Sequence, residues 1–317
     1  MTSVTAARTE AGEFSHEALL YRGEREFVDG TVSFLRDGIA AQEPTLVVVG
    51  AEKIERLRAE LGPDRDRVQF ADMAEVGANP ARIIPAWERF VSDHARPGRG
   101  LRGIGEPIWA GRTPAELVEC QRHEALLNLA FADTPNFRLL CPYDTRALGG
   151  DVIEESHRSH ALIAEGGRRR GSVALRDLGE VAAPFDLPLP EPVAAEEMPV
   201  LPGSLVAVRR FVADRATAAG VPAHRVADLV LAVNELATNS LRHAGGNGTL
   251  RIWTEPYTML CEVRDRGLIA DPLIGRRRPP RGQEGGRGLW LANQLCDLVQ
   301  VRSGPNGSVV RLHLRRA

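Results

Sequence analysis

The stretch "LAVNELATNSLRHAGGNG", residues 231 to 248, decides how the second half of this 317-residue chain is read. Leu229, Val233, Leu236, Ser240 and Ala244 recur at helical spacing and form a face that can pack on a sheet. Glu235, Asn239 and His243 follow at four-residue steps on another stripe. A carboxylate and an amide oxygen one turn apart can hold a divalent cation, or a water, between helix and ligand. Magnesium suits such a pair, because it takes oxygen ligands and keeps several of its waters. The same stripe is equally compatible with a solvated polar face. His243 reads as a helix C-terminal histidine satisfied by carbonyls and the dipole.

Two later motifs bear on the choice. "VRDRGLIADP" puts Asp265 at the end of a strand, two residues before Gly267. A carboxylate there can accept from an exocyclic amine while the glycine lets a ligand approach the backbone; alone, Asp-x-Gly is also a common turn. "EGGRGLWLANQL" sets Gly285, Gly286 and Gly288 at the start of a helix, where open backbone N–H groups can cradle phosphate.

In this order and spacing, the motifs resemble the GHKL ATPases over about residues 203 to 317: an N box (Glu235, Asn239), a first glycine box (Asp265, Gly267) and a second (Gly286, Gly288). "LIADPLIGRRRPPRGQEG" stands where that family has a mobile lid over ATP, but it is short, arginine-rich (Arg276, Arg277, Arg278, Arg281) and lacks the second glycine many relatives carry soon after the first box. "NELATNSLRHA" resembles the N box of the anti-sigma factor serine/threonine kinases. That resemblance implies ATP and Mg2+ as cofactors. It makes Glu235 the general base, Asn239 the Mg2+ ligand, Asp265 the adenine reader, and Gly267, Gly286, Arg287 and Gly288 the remaining nucleotide contacts. It also implies two protein partners, a sigma factor and a STAS-type anti-anti-sigma protein phosphorylated on Ser or Thr, and it allows a homodimer. A non-catalytic ATP-binding switch that sequesters a partner is the alternative. A sensor histidine kinase is another, but His123-Glu124 lies far upstream, and no long pair of helices precedes residue 203 to carry a phosphoacceptor.

Before the boxes, "VAAPFDLPLPEPVAAEEMPVLPG" (181–203) reads as an extended, proline-rich connector rather than a packed element. It separates an N-terminal domain, 14–180, from a C-terminal one, 204–317. In the first, apolar runs such as "TLVVVG", "RVQFADM", "LRGIGEPIW" and "NFRLLCPYD" alternate with helical segments, which argues for a mostly parallel sheet flanked by helices. "TPAELVECQRHEALLNLAF" opens with a Thr cap and Pro at the first helical position. In the second, two helices precede antiparallel strands that end in a hairpin turning at Pro305-Asn306-Gly307. The fold class expected is therefore α/β plus α+β.

"FSHEALLYRGEREFVDGTVSFLRDGI", "GEPIWAGRTPAELVECQRHEALLN" and "CPYD" resemble the MEDS sensory domain, which implies a RecA-like sheet. "VVVGAEKIERL" sits where a phosphate loop would, without its Gly-x-x-x-x-Gly-Lys-Ser/Thr pattern, so ATP hydrolysis is not expected there. His16, Tyr21, Glu106, His123, Glu124, Tyr143 and Asp144 are expected to gather at the carboxyl ends of the strands, as a structural network or a small-molecule pocket. The histidines lack tight ligand spacing, and Cys120, Cys141, Cys261 and Cys296 form no Cys-x-x-Cys pair, which argues against a metal site or disulfides. Trp87 and Trp109 read as core.

Composition adds limits. Hydrophobic content of 43% and charged content of 26% are ordinary for a soluble domain. A net charge of -2 implies neither a nucleic-acid partner nor an anionic membrane surface. No run reaches the length of a membrane helix, the start lacks a signal-peptide core, and the cysteines suit a reducing compartment; a cytoplasmic location is expected. Lys53 is the one lysine, so no mechanism needing a second is open.

Overall fold

A computed structural model describes residues 12–280 and 286–316. It divides into two units meeting at Ala182 and Ala183.

In the first unit, strands and helices alternate: β1 (Ser15–Tyr21), α1 (Gly23–Ala40), β2 (Thr45–Val49), α2 (Ala51–Leu61), β3 (Gln69–Asp72), α3 (Met73–Val76), α4 (Ile83–His94), β4 (Leu101–Gly105), α5 (Pro114–Ala130), β5 (Phe137–Asp144), α6 (Gly150–Ser159), then β6 (Leu162–Glu165) and β7 (Arg168–Gly171). The sheet order is β3-β2-β4-β5-β1-β6-β7, parallel except for the β6–β7 hairpin. This is the alternation read in the sequence, with two additions: β1, which lies between β5 and β6, and the terminal hairpin. Alternation along the strands assigns each face. Leu19, Tyr21, Val47, Val49, Ile104 and Leu140 pack with residues of α1 and α2 on one face. His16, Leu139, Cys141 and Tyr143 point to the other, where Gly103 and Gly105 leave room for the buried Trp87 of α4. α5 starts as the sequence indicates: Thr113 and Glu116 form a reciprocal capping box, with Pro114 in the first turn. Trp109, expected in the core, is half-buried beneath the Arg112 guanidinium, 3.8 Å from its ring centre.

The second unit is β8 (Glu196–Val200), α7 (Leu205–Ala218), α8 (Ala223–His243), β9 (Gly248–Glu255), β10 (Thr258–Asp265), α9 (Arg287–Leu295), β11 (Leu298–Gly304) and β12 (Gly307–Arg315). Its five strands form an antiparallel sheet, β11-β12-β10-β9-β8. Leu229, Val233 and Leu236 of α8 join Leu250, Ile252, Met259, Cys261, Val263, Leu289 and Leu312 in one core; Ser240 and Ala244, on the same face, are also buried. The opposite face of the sheet is ionic. Glu262 is fully buried there between Arg311 (2.7 Å), Arg264 (2.5 Å) and Arg251 (3.4 Å).

The proline-rich segment differs from expectation. Part of it is β8, the sheet's edge strand, and the residues before β8 are docked on the ionic face. Arg311 donates to the Pro190 carbonyl (2.8 Å), and Glu191 pairs with Arg251 and Arg264 (2.7 Å each). Proline is tolerated in β8 because an edge strand need not donate on both sides.

Candidate functional site

α8 carries the predicted stripe with Glu235 and Asn239 half-buried and His243 exposed at its last turn. Asp265 ends β10, paired across the sheet with Gly248 and Ser308. One of its oxygens accepts from the Gly267 amide (2.8 Å), the other from the Ser240 hydroxyl (2.6 Å). Because Ser240 follows Asn239 on α8, the first glycine box is tied directly to the N box. Two glycines enforce close approach. A Cβ on Gly267 would stand 3.0 Å from the Ala244 Cβ, and one on Gly307 would meet the Asp265 carbonyl at 2.0 Å. The β11–β12 turn therefore closes against the end of β10.

The second glycine box comes to the same place. Gly286 takes a left-handed conformation, φ 76°, immediately before α9, a geometry that favours glycine. A Cβ on Gly288 would lie 3.0 Å from Asn239 Nδ2 and 3.3 Å from Glu235 Oε2. Arg287 is exposed at the first position of α9. Glu235, Asn239, Asp265, Gly267, Gly286, Arg287 and Gly288 thus lie around the ends of α8, β10 and α9. His243 takes no part in the contacts described here. Of the lid segment, residues up to Pro280 are irregular. Gly275 is left-handed there, with its carbonyl accepting from Asn293 (3.0 Å), and Arg276 is buried while Arg277 and Arg278 are exposed. Arg281 and Gly285 lie outside the described residues.

In the first unit the expected polar set does not gather in one place. Tyr21 and Glu106, at the carboxyl ends of β1 and β4, do meet there: the phenol donates to Glu106 (2.7 Å), and Lys53 of α2 donates to both (2.5 to 2.7 Å). Burial pushes the Glu106 carboxyl up, against the opposing pull of Lys53; burial, then Glu106, pushes the Tyr21 phenol up. His16 is five residues before Tyr21 on β1, an odd separation, and so points to the other face. There it meets Glu124 and two residues the sequence reading did not select, Cys141 and His160. His16 Nε2 lies 3.3 Å and His160 Nε2 3.1 Å from one Glu124 oxygen, and Cys141 Sγ lies 3.4 Å from His16 Nε2. Tyr143 packs edge-on against His160, and His123 is buried on α5. Burial and then the charge of His16 lower His160 to about 4; burial raises Glu124, but the two imidazoles outweigh it and hold the carboxyl well below its ordinary range.

All four cysteines are free and buried. Among the described residues no helix is long and apolar enough to cross a membrane.

The molecule therefore combines an α/β unit bearing buried polar clusters with an α/β sandwich in which the glycine boxes meet the polar stripe of α8. Residues 15–161 match the family model of the MEDS domain, the methanogen/methylotroph, DcmR sensory domain, and residues 198–314 match that of the histidine kinase-like ATPase domain. The chain carries a MEDS domain followed by a histidine kinase-like ATPase domain. The crystal structure of the RsbU and RsbW domains of Rv1364c from Mycobacterium tuberculosis aligns with 17% identity and a TM-score of 0.30, covering 39% of this chain and 33% of that one. No curated protein matches the chain.

Proposed function

We propose that the protein is an anti-sigma regulatory factor that binds ATP with Mg2+ and phosphorylates a serine or threonine of an anti-anti-sigma partner, under control of its MEDS domain. The observation that carries the nucleotide reading is the convergence of Asp265, Gly288, Glu235 and Asn239 at the ends of three elements. Two features support a nucleotide there. The Asp265 carboxylate is oriented by two donors, and Gly286 and Gly288 are a cradle that side chains would fill.

Bound ATP and Mg2+ would supply the phosphoryl group and the cation that offsets its charge. Asn239 would offer its amide oxygen to the cation, and Asp265 would accept from the adenine amine. The backbone N–H groups at the start of α9, with Arg287, would hold phosphate oxygens. Glu235, one turn from Asn239, would orient the partner's hydroxyl and take its proton. Positioning and charge neutralisation account for most of such a transfer, so this set is chemically sufficient. A sigma factor and a STAS-type protein would compete for the domain, with bound nucleotide biasing the exchange. The Tyr21–Lys53–Glu106 cluster, at the carboxyl ends of parallel strands, is where a small-molecule signal would act. The four free thiols support a cytoplasmic setting.

Calorimetry of the full chain with ATP, with and without Mg2+, tests the site. Magnesium-dependent binding lost in Asn239→Ala supports it, and no binding by the wild type removes it. With a STAS-type acceptor present, transfer abolished by Glu235→Gln while binding persists supports the kinase. Binding without transfer in the wild type leaves a partner-sequestering switch.

A further inference from the structure

We propose that His16, Cys141, Glu124 and His160 form a binding site for a divalent transition-metal ion of the zinc kind, buried in the MEDS domain. The four come from separate elements: β1, β5, α5 and the residue closing α6. One donor atom from each lies within 4.8 Å of all the others. Donors bound tetrahedrally at ordinary zinc distances stand about 3.3 to 3.8 Å apart, so small side-chain movements suffice to close the set. Each residue is no more than 1% exposed.

The hydrogen bonds around the cluster fix which atoms face inward. Asn128 donates through Nδ2 to the Ser159 carbonyl (2.7 Å), which leaves its Oδ1 to accept from Nδ1 of His16 (3.2 Å). Nδ1 of His160 donates to the Ser156 carbonyl (2.8 Å). Both imidazoles are therefore anchored through the outer nitrogen and turn Nε2 toward Glu124. Metal-binding histidines are held this way, with the second nitrogen anchored by a carbonyl or an equivalent acceptor.

The interior of the cluster is short of positive charge. Neither oxygen of Glu124 has a hydrogen-bond partner, nor does Nε2 of His160, although all three are buried. A buried carboxylate facing two imidazole nitrogens and a thiol is a place for a cation, because an unpaired charge in the interior is costly. The Cys141 hydrogen can relieve only one contact, that with Nε2 of His16. A divalent ion satisfies all four groups, binding the thiolate as the thiol proton leaves to solvent. Two imidazoles, one thiolate and one carboxylate form a donor set of borderline softness, which selects zinc-like ions over magnesium or calcium. Spacing along the chain does not reveal the site, because its ligands are spread over 145 positions, from 16 to 160.

The test uses the full chain, purified without chelator, for metal analysis, and a second preparation from cobalt-supplemented medium for absorption spectroscopy. A site of this kind gives a stoichiometric ion and, with cobalt, visible bands of tetrahedral intensity together with a thiolate-to-cobalt charge-transfer band. Cys141→Ser then loses the charge-transfer band, while Cys120→Ser retains it. Metal-free wild-type protein that stays colourless after growth in cobalt would overturn the proposal, and so would a charge-transfer band surviving in Cys141→Ser. Should Cys141→Ser fail to fold by circular dichroism, the wild-type metal content and cobalt spectrum decide alone.

Discussion

The Ser240 hydroxyl donates to the Asp265 carboxylate across 2.6 Å, joining the last turn of α8 to the end of β10. This bond makes the helix and the strand end a single unit. Removing the hydroxyl leaves one Asp265 oxygen without its donor, at a cost of about 1 kcal/mol or somewhat more. Ser240→Ala is expected to lower the unfolding free energy by that amount, seen as a lower urea midpoint at unchanged m. It should also weaken ATP binding about tenfold, because the adenine acceptor is no longer held; paired denaturation and calorimetry would check both.

At Gly288 the crowding is on the other side. A methyl group there meets Asn239 Nδ2 at 3.0 Å and Glu235 Cβ at 3.2 Å, so α9 must move or both side chains must turn. Overpacking of this kind costs about 1–3 kcal/mol. Gly288→Ala should reduce Mg2+-dependent ATP affinity by more than tenfold while the circular dichroism spectrum is unchanged. Unaltered affinity would separate this glycine from the nucleotide site.

The ionic face of the second sheet predicts a larger effect. Glu262 is fully buried and faces Arg251, Arg264 and Arg311. Its removal leaves cations in a poorly solvated place, and breaking a buried pair from one side typically costs about 3 kcal/mol or more. Glu262→Ala should therefore destabilise the ATPase domain by roughly that amount in urea titrations. Limited proteolysis between residues 185 and 195 should accelerate as well, since Arg311 and Arg264 also hold that segment.

In the MEDS domain, acid is the lever. His160 has its pKa lowered from 6.5 to about 4, so the fold favours the neutral ring. The stability this gives is present above the unfolded pKa and is lost as pH falls from about 6.5 toward 4. The gap corresponds to roughly 3 kcal/mol. Glu124, held low by the imidazoles, extends the loss to still lower pH. Hydrogen exchange of α5 and α6 amides in chelator-treated protein should show protection falling over that window, with a shallower fall in His160→Gln.

Much of this was readable beforehand, for identifiable reasons. α8 declared itself because its core face and its polar stripe each keep a helical period, and the glycines of both boxes sit where the backbone needs them. β1 is harder to recognise: "SHEALLY" carries His16 and Glu17, yet all seven residues are buried, the polar ones because β5 and β6 flank the strand and partners meet their side chains. β8 was hidden by its prolines, which signal a connector unless the strand is known to lie at an edge. The split of the MEDS polar residues follows from strand parity, a rule available only once β1 is recognised as a strand. Cys141 and His160 escaped because nothing along the chain says that β5 and the end of α6 converge on β1.

Lys53 is held between Tyr21 and Glu106, and no other lysine occurs in the sequence. Amine-directed chemistry on the side chains therefore has one address. An acyl group placed there would cancel the positive charge lying against the buried Glu106, so every acylation of a lysine side chain in these 317 residues would fall on the MEDS cluster. A single mass shift on Lys53, followed with and without candidate small molecules, would then read occupancy of that cluster directly.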